Sequence, residues 1–181
     1  MIRKLSVTEL DRLTPDEYRE ARKTPLVVVL DNVRSMHNIG SVFRTCDAFR
    51  AEAVYLCGIS STPPHPEIHK SALGAEDTVS WKYYADTLDA VAGLRSEGYR
   101  VYAVELAEGS IKLPELSIPV DERVAVVLGH EVKGVQQSVI DACDACIEIP
   151  QLGTKHSLNV SVTGGIIIWE FFKQLRDGLE R

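Results

Sequence analysis

Cysteine is scarce in this 181-residue chain, with four scattered copies, too few for a disulfide framework at this length. Cys143 and Cys146 form one C-x-x-C, but no second pair completes a zinc site, and Cys146 opens a strand-like run. Ordinary buried thiols are expected. Long apolar runs are lacking too: residues 164–169 soon meet Glu170 and Lys173 and fall far short of a membrane span. The start, Met1-Ile2-Arg3-Lys4-Leu5, has no apolar stretch of the secretory kind, so the cytoplasm is the expected location. No G-x-G-x-x-G, phosphate-loop or H-E-x-x-H pattern is present, which disfavours ordinary dinucleotide, nucleoside-triphosphate and zinc-hydrolase chemistry. His65 and His69 have no third ligand evident nearby, so no metal is expected there.

Positive charge is also short. A net charge of −6 argues against an indiscriminate nucleic-acid coat. The deficit is uneven: residues 1–50 carry nine Lys/Arg against seven Asp/Glu, and the remainder eleven against nineteen. An RNA partner would therefore meet a local patch drawing on the first quarter of the chain.

What is present is ordinary globular material, 45% hydrophobic and 25% charged. The length suits one domain over residues 1–181, with residues 1–24 as a short helical extension in which Thr14-Pro15 starts a helix. Residues 26–30 (LVVVL) and 123–128 (RVAVVL) read as strands buried on both faces; residues 53–57, 99–106 and 145–149 are further strands. Helices are predicted near residues 38–49, 87–97, 135–142 and 158–175. Residues 60–76, with three prolines, read as loop with one helical turn. Strands alternating with helices predict an α/β fold, a mostly parallel sheet with helices on both faces.

Ligands of such sheets gather at the carboxyl ends of the strands. Three segments lie there. In the first, Asn38 reads as a helix cap, Gly40 permits close backbone approach, and Arg44 shares a face with Gly40 and Ser41, placed to grip a phosphate. In the second, Leu128-Gly129 lets a ligand lie against main chain, and Glu131 can anchor a neighbouring loop. In the third, a polar loop ends in Ser157, a natural cap, and Asn159 and Ser161 enter an apolar helix, a position calling for hydrogen-bond partners. Each alone is equally compatible with plain structure.

Together, N-x-G-x-x-x-R from Asn38 to Arg44, G-x-E-x-x-G from Gly129 to Gly134, and Ile149-Pro150 followed by Ser157-Leu158-Asn159-Val160-Ser161 resemble, in order, the three signature motifs of the SpoU/TrmH family of RNA 2'-O-ribose methyltransferases. The resemblance spans roughly residues 26–175. It implies an α/β knot, the C-terminal segment threaded as a trefoil knot, a rare exception to unknotted folds. It implies S-adenosyl-L-methionine in that knot, its adenine on main chain around Leu128, Gly129, Ile149 and Leu158. Residues matching the family's functional positions are Asn38, Arg44, Glu131, Ser157 and Asn159. It further implies a homodimer with the last helix in the interface, where Ile167, Ile168, Phe171, Phe172 and Leu175 supply apolar surface that a monomer could equally bury in its own core.

The family's counterpart of Arg44 is proposed to act as base, but a guanidinium keeps its proton, so Arg44 is expected to fix an RNA phosphate and stabilise developing alkoxide charge. Glu131 would order the loops, and Ser157 and Asn159 would orient Arg44 or the ribose. Thr163-Gly164-Gly165 departs from the family's alanine-rich start, which should loosen that helix. With no appended RNA-binding domain evident, RNA grip is expected from Arg34, Lys70, Lys155 and Arg22, with Arg3, Lys4, Arg12, Arg19 and Lys23 as further candidates. Transfer RNA is the first expectation and ribosomal RNA the second. The rival readings are a non-catalytic RNA-binding protein of this fold and a nucleotide-dependent oxidoreductase.

Overall fold

The computed structural model describes residues 2–176 and 179. Thr14 caps helix α1 (Pro15–Glu20) through a reciprocal bond with Glu17, as the Thr-Pro start predicts. Strand β1 (Thr24–Asp31) leads to α2 (Met36–Ala48) and β2 (Ala51–Cys57). The proline-rich stretch holds two short helices, α3 (Pro66–Ala72) and α4 (Ala75–Thr78), where sequence suggested one turn. His65 is the cap of α3, its Nδ1 accepting from the Glu67 N–H, and His69 bonds Glu76, so both imidazoles have protein partners. Next come β3 (Trp81–Tyr84), α5 (Thr87–Ser96), β4 (Arg100–Val104), β5 (Ile111–Lys112), β6 (Val124–Leu128), α6 (Gln137–Ala142), β7 (Ala145–Glu148) and α7 (Val160–Leu175).

All seven strands are parallel, in the order β3-β2-β1-β6-β4-β7-β5. Alternation along β1 sends Leu26, Val28 and Leu30 to a core shared with α2 and α7, and Val27 and Val29 to a core shared with α5 and α6. Both faces are covered, which is why LVVVL reads as a continuous run. Among the described residues no helix is long and apolar enough to cross a membrane.

Two glycines mark close approaches. A Cβ on Gly40 would lie 2.2 Å from Ser71 Oγ and 2.3 Å from Ile68 O, so this glycine admits α3, not a ligand. A Cβ on Gly164 would stand 3.2 Å from a Leu128 methyl and 3.4 Å from one of Val42. The Thr-Gly-Gly departure therefore lets α7 settle between β6 and α2, and the helix runs unbroken through it. Cys46 and Cys57 are buried as expected, but Cys143 and Cys146 are half-buried because they flank the short link from α6 to β7. Desolvation, with Asp144 beside it, pushes the Cys143 thiol up to about 12, so it is a poor nucleophile at neutral pH.

Candidate active site

The carboxyl ends of β4, β6 and β7 open into a cavity of about 750 Å³, closed on the far side by the start of α7. Leu128, Gly129, Glu131, Ile149, Ser157 and Leu158 all line it. The floor is a tight loop after β6. His130 and Gly134 exchange backbone hydrogen bonds (3.1 and 2.8 Å), and the His130 ring turns back so that Nδ1 accepts from the N–H groups of Val132 and Lys133. A Cβ on Gly129 would sit 2.1 Å from the Gly134 carbonyl carbon and 2.2 Å from Val135 N, so only glycine permits this closure. Gly134 has φ +68°, which favours glycine again.

Three carboxylates pin this loop. Glu131 reaches across to the start of α2, accepting from Arg34 N (3.0 Å), Ser35 N (2.8 Å) and Asn38 Nδ2 (3.1 Å). Burial pushes the Glu131 carboxyl upward, but the N–H groups of Arg34 and Ser35, together with its own N–H and the Asn38 amide, outweigh that. The group sits below the ordinary carboxylate range. Glu105, one residue beyond β4, accepts from Val135 N (3.0 Å). Asp31, fully buried at the end of β1, accepts from Gln136 N (3.1 Å), Gln136 Nε2 (3.0 Å), Thr87 Oγ1 (2.6 Å) and Asn32 Nδ2 (2.8 Å).

The third segment joins through Asn159, whose Nδ2 donates to Asn38 Oδ1 over 3.2 Å. Its Oδ1 accepts from Ser161 N, Ser161 Oγ and Val162 N, which makes Asn159 the cap of α7 in place of Ser157. Likewise Ser35, not Asn38, caps α2, because its hydroxyl accepts from Asn38 N and frees the Asn38 side chain for Glu131. The polar residues here find their partners without deep burial: Ser157 and Asn159 are exposed, Ser161 half-exposed.

Arg44 stands apart. Its side chain borders a second cavity of about 550 Å³ with His37, Ser41, Thr45, Ala48, Phe49, Lys70 and Ser71, and it is absent from the wall of the first. Within one chain the three segments meet through Asn38, Glu131 and Asn159, but the guanidinium does not enter their cavity.

The basic candidates divide. Arg34 and Lys155 are exposed near the strand-end cavity, and Lys70 borders the Arg44 cavity while paired with Glu67 (2.5 Å). Arg22 precedes β1, at the opposite end of an eight-residue strand roughly 26 Å long, so it cannot share a patch with Arg34 in the same chain.

Of the two placements open to the apolar residues of α7, burial in the chain's own core is the one seen. Ile167, Ile168, Phe171 and Leu175 are fully buried in the chain's own core, whereas Val162, Ile166 and Trp169 are exposed, at 50%, 37% and 46%. Trp169 packs against Phe49, the residue that ends α2, with ring centroids 5.5 Å apart and planes tilted by 55°. The residues the sequence reading missed, Asp31 and Glu105, share one signal: each is the first acid after the apolar run of a strand.

The sequence matches the SpoU rRNA Methylase family over residues 25–169. It is 32% identical to a tRNA (guanosine(18)-2'-O)-methyltransferase of Thermus thermophilus, across 95% of this chain and 87% of that protein. It is 34% identical to the 23S rRNA (guanosine-2'-O-)-methyltransferase RlmB of Nitrosomonas europaea, across 93% of this chain and 64% of that one. The fold superimposes on the A. aeolicus TrmH/SpoU tRNA modifying enzyme with TM-score 0.79 at 26% identity, covering 91% of this chain and 83% of that one. The AdoMet-bound rRNA methyltransferase from Sinorhizobium meliloti gives 0.77 at 29%, covering 91% and 62%. With its three motif segments joined by hydrogen bonds and its sequence matched in this way, the chain belongs to the SpoU rRNA methylase family.

Proposed function

We propose that this protein methylates a ribose 2'-hydroxyl in structured RNA, with transfer RNA as the first substrate and ribosomal RNA as the second, working in the cytoplasm as one domain. The observation that carries the reading is the joining of Asn38, Glu131 and Asn159 in one hydrogen-bonded chain, of which Glu131 lines a cavity floored by main chain. S-adenosyl-L-methionine supplies, when bound, a methyl group already activated on a sulfonium. The cavity fits it: its volume lies in the range of small-molecule sites (roughly 300–1,000 Å³), and Leu128, Gly129 and Ile149 at the strand ends line it. Leu128, Gly129, Ile149 and Leu158 would hold it, within a knotted C-terminal segment.

The protein's own part is to position and to manage charge. Glu131 and Asn159 fix Asn38 and with it the first turn of α2, and Ser157 at the cavity rim orients the ribose. Arg44 keeps its proton, grips a backbone phosphate with Lys70 and His37 beside it, and stabilises charge developing on the 2' oxygen. Because Arg44 lies outside the cavity of its own chain, the reading calls for a homodimer in which Arg44 of one subunit serves the cavity of the other. The exposed strip of Val162, Ile166 and Trp169, continuous with Phe49 just past α2, supports pairing on that side. Arg34 and Lys155 would complete the RNA contact.

The test is incubation with S-adenosylmethionine labelled in its methyl group and separate tRNA and rRNA fractions from cells lacking the protein. Label should enter one RNA fraction. RNA retained on the protein without label would favour the non-catalytic alternative.

A further inference from the structure

We propose that Glu105 holds the two ribose hydroxyls of S-adenosylmethionine, which makes it a cofactor-binding residue in addition to the main-chain contacts. The inference rests on reading the strand-end cavity as the cofactor site. Strand β4 lies between β6 and β7, and its register pairs Ala103 with Val127 and Val104 with Ile147. Continuing that register sets Glu105 level with Gly129 on one side and beside Glu148-Ile149 on the other; its own N–H still donates to Ile147 O over 3.0 Å. Gly129 and Ile149 are the positions expected to carry the adenine, so the group covalently next to the base falls within reach of this carboxylate.

Glu105 is half-buried and lines the cavity. Each oxygen has one backbone donor: Oε1 accepts from Leu106 N (2.9 Å) and Oε2 from Val135 N (3.0 Å). A carboxylate accepts about four hydrogen bonds, so each oxygen keeps capacity for another donor. A vicinal diol presents two O–H donors side by side and matches two adjacent acceptors, whereas adenine offers a single donor group on its exocyclic nitrogen. The carboxylate is also fixed in place: a Cβ on Gly134 would fall 2.0 Å from Oε2, so glycine there is what lets the acid sit against the loop. An acid aimed at a ribose diol from a strand end is the solution dinucleotide-binding sheets use as well.

Calorimetric titration with S-adenosylhomocysteine and its 2',3'-dideoxy analogue tests this. The wild type should bind S-adenosylhomocysteine roughly 10- to 100-fold more tightly than the dideoxy analogue, the range for hydrogen bonds to a charged group. Glu105→Gln should lose most of that discrimination, weakening S-adenosylhomocysteine more than the dideoxy analogue. If Glu105→Gln weakens both ligands by one factor, the acid acts only through the Val135 loop and the assignment fails. If the variant weakens S-adenosylmethionine more than S-adenosylhomocysteine, the acid faces the sulfonium and the assignment also fails. Equal wild-type affinity for the two ligands overturns it without any variant, whatever becomes of the fold of Glu105→Gln. Absence of any wild-type binding of S-adenosylhomocysteine removes the cofactor reading itself.

Discussion

Asn38 and Glu131, ninety-three residues apart in sequence, meet at 3.1 Å, and the same carboxylate takes the Arg34 and Ser35 N–H groups. One acid thus ties the loop after β6 to the first turn of α2. Replacing Glu131 with Gln leaves at least one of these donors unmatched and should cost roughly 1–2 kcal/mol, allowing for its partial exposure. The folded carboxyl is lowered, so the stabilisation is present above the unfolded value near 4.3 and is lost as pH falls through the folded value. Urea denaturation of wild type and Glu131→Gln between pH 3 and 7 should show the gap at neutral pH and its closure in acid.

Asp31 has no water contact and four protein donors. Replacement by Ala strands the Gln136 and Thr87 donors and should cost about 3 kcal/mol. Thermal unfolding reads this, and because the loop after β6 loses its anchor, affinity for S-adenosylhomocysteine should fall with it.

Parts of this arrangement were legible and parts were not, for identifiable reasons. Strands β1 and β6 announce themselves because both faces are buried and every residue of the run is apolar. Strand β3 does not: as an edge strand its Trp-Lys-Tyr-Tyr is largely exposed, which leaves no apolar pattern. Helices α3 and α4 hide behind Pro63, Pro64 and Pro66, of which only Pro66 opens a helix. The two caps were misread because Ser35 and Asn38, like Ser157 and Asn159, are all capping residues; only tertiary partners decide which one turns inward. The motif residues reached the right end of the sheet because strand ends follow from the order of elements. Arg44 lies on an outer helix face, and its distance from the cavity depends on packing angles that spacing does not encode.

Gly129→Ala drives a methyl into the Gly134–Val135 backbone at 2.1–2.2 Å, where no flexible side chain can yield. Overpacking of this kind costs about 1–3 kcal/mol or more. The variant should melt lower and bind S-adenosylhomocysteine at least tenfold more weakly. Unchanged affinity would detach the cavity floor from the cofactor.

Arg44→Lys removes the planar fork and keeps the charge. Turnover should fall roughly 100-fold, the scale of losing one preorganised donor at a developing oxyanion. Affinity for S-adenosylhomocysteine should not change, because in this reading Arg44 meets the RNA phosphate and the 2' oxygen and not the cofactor. Near-normal turnover would contradict any need for the guanidinium geometry.

Ile166→Glu places a charge on an exposed apolar strip without touching the chain's own core. Sedimentation should show dimer converting to monomer at unchanged melting of the monomer fold, with methylation lost. Mixing Arg44→Ala with Gly129→Ala subunits should restore activity up to about a quarter of wild type, since half the dimers are mixed and each carries one site free of both defects. No recovery would place Arg44 in service of its own chain.

The most direct measurement is the position of the transferred methyl. RNA labelled by the wild-type protein is digested to nucleosides and resistant dinucleotides, and the label is assigned to ribose or base by mass spectrometry. The label should sit on a ribose 2' oxygen and be absent when Arg44→Ala is used. Label on a base, or equal ribose labelling by Arg44→Ala, would contradict the account.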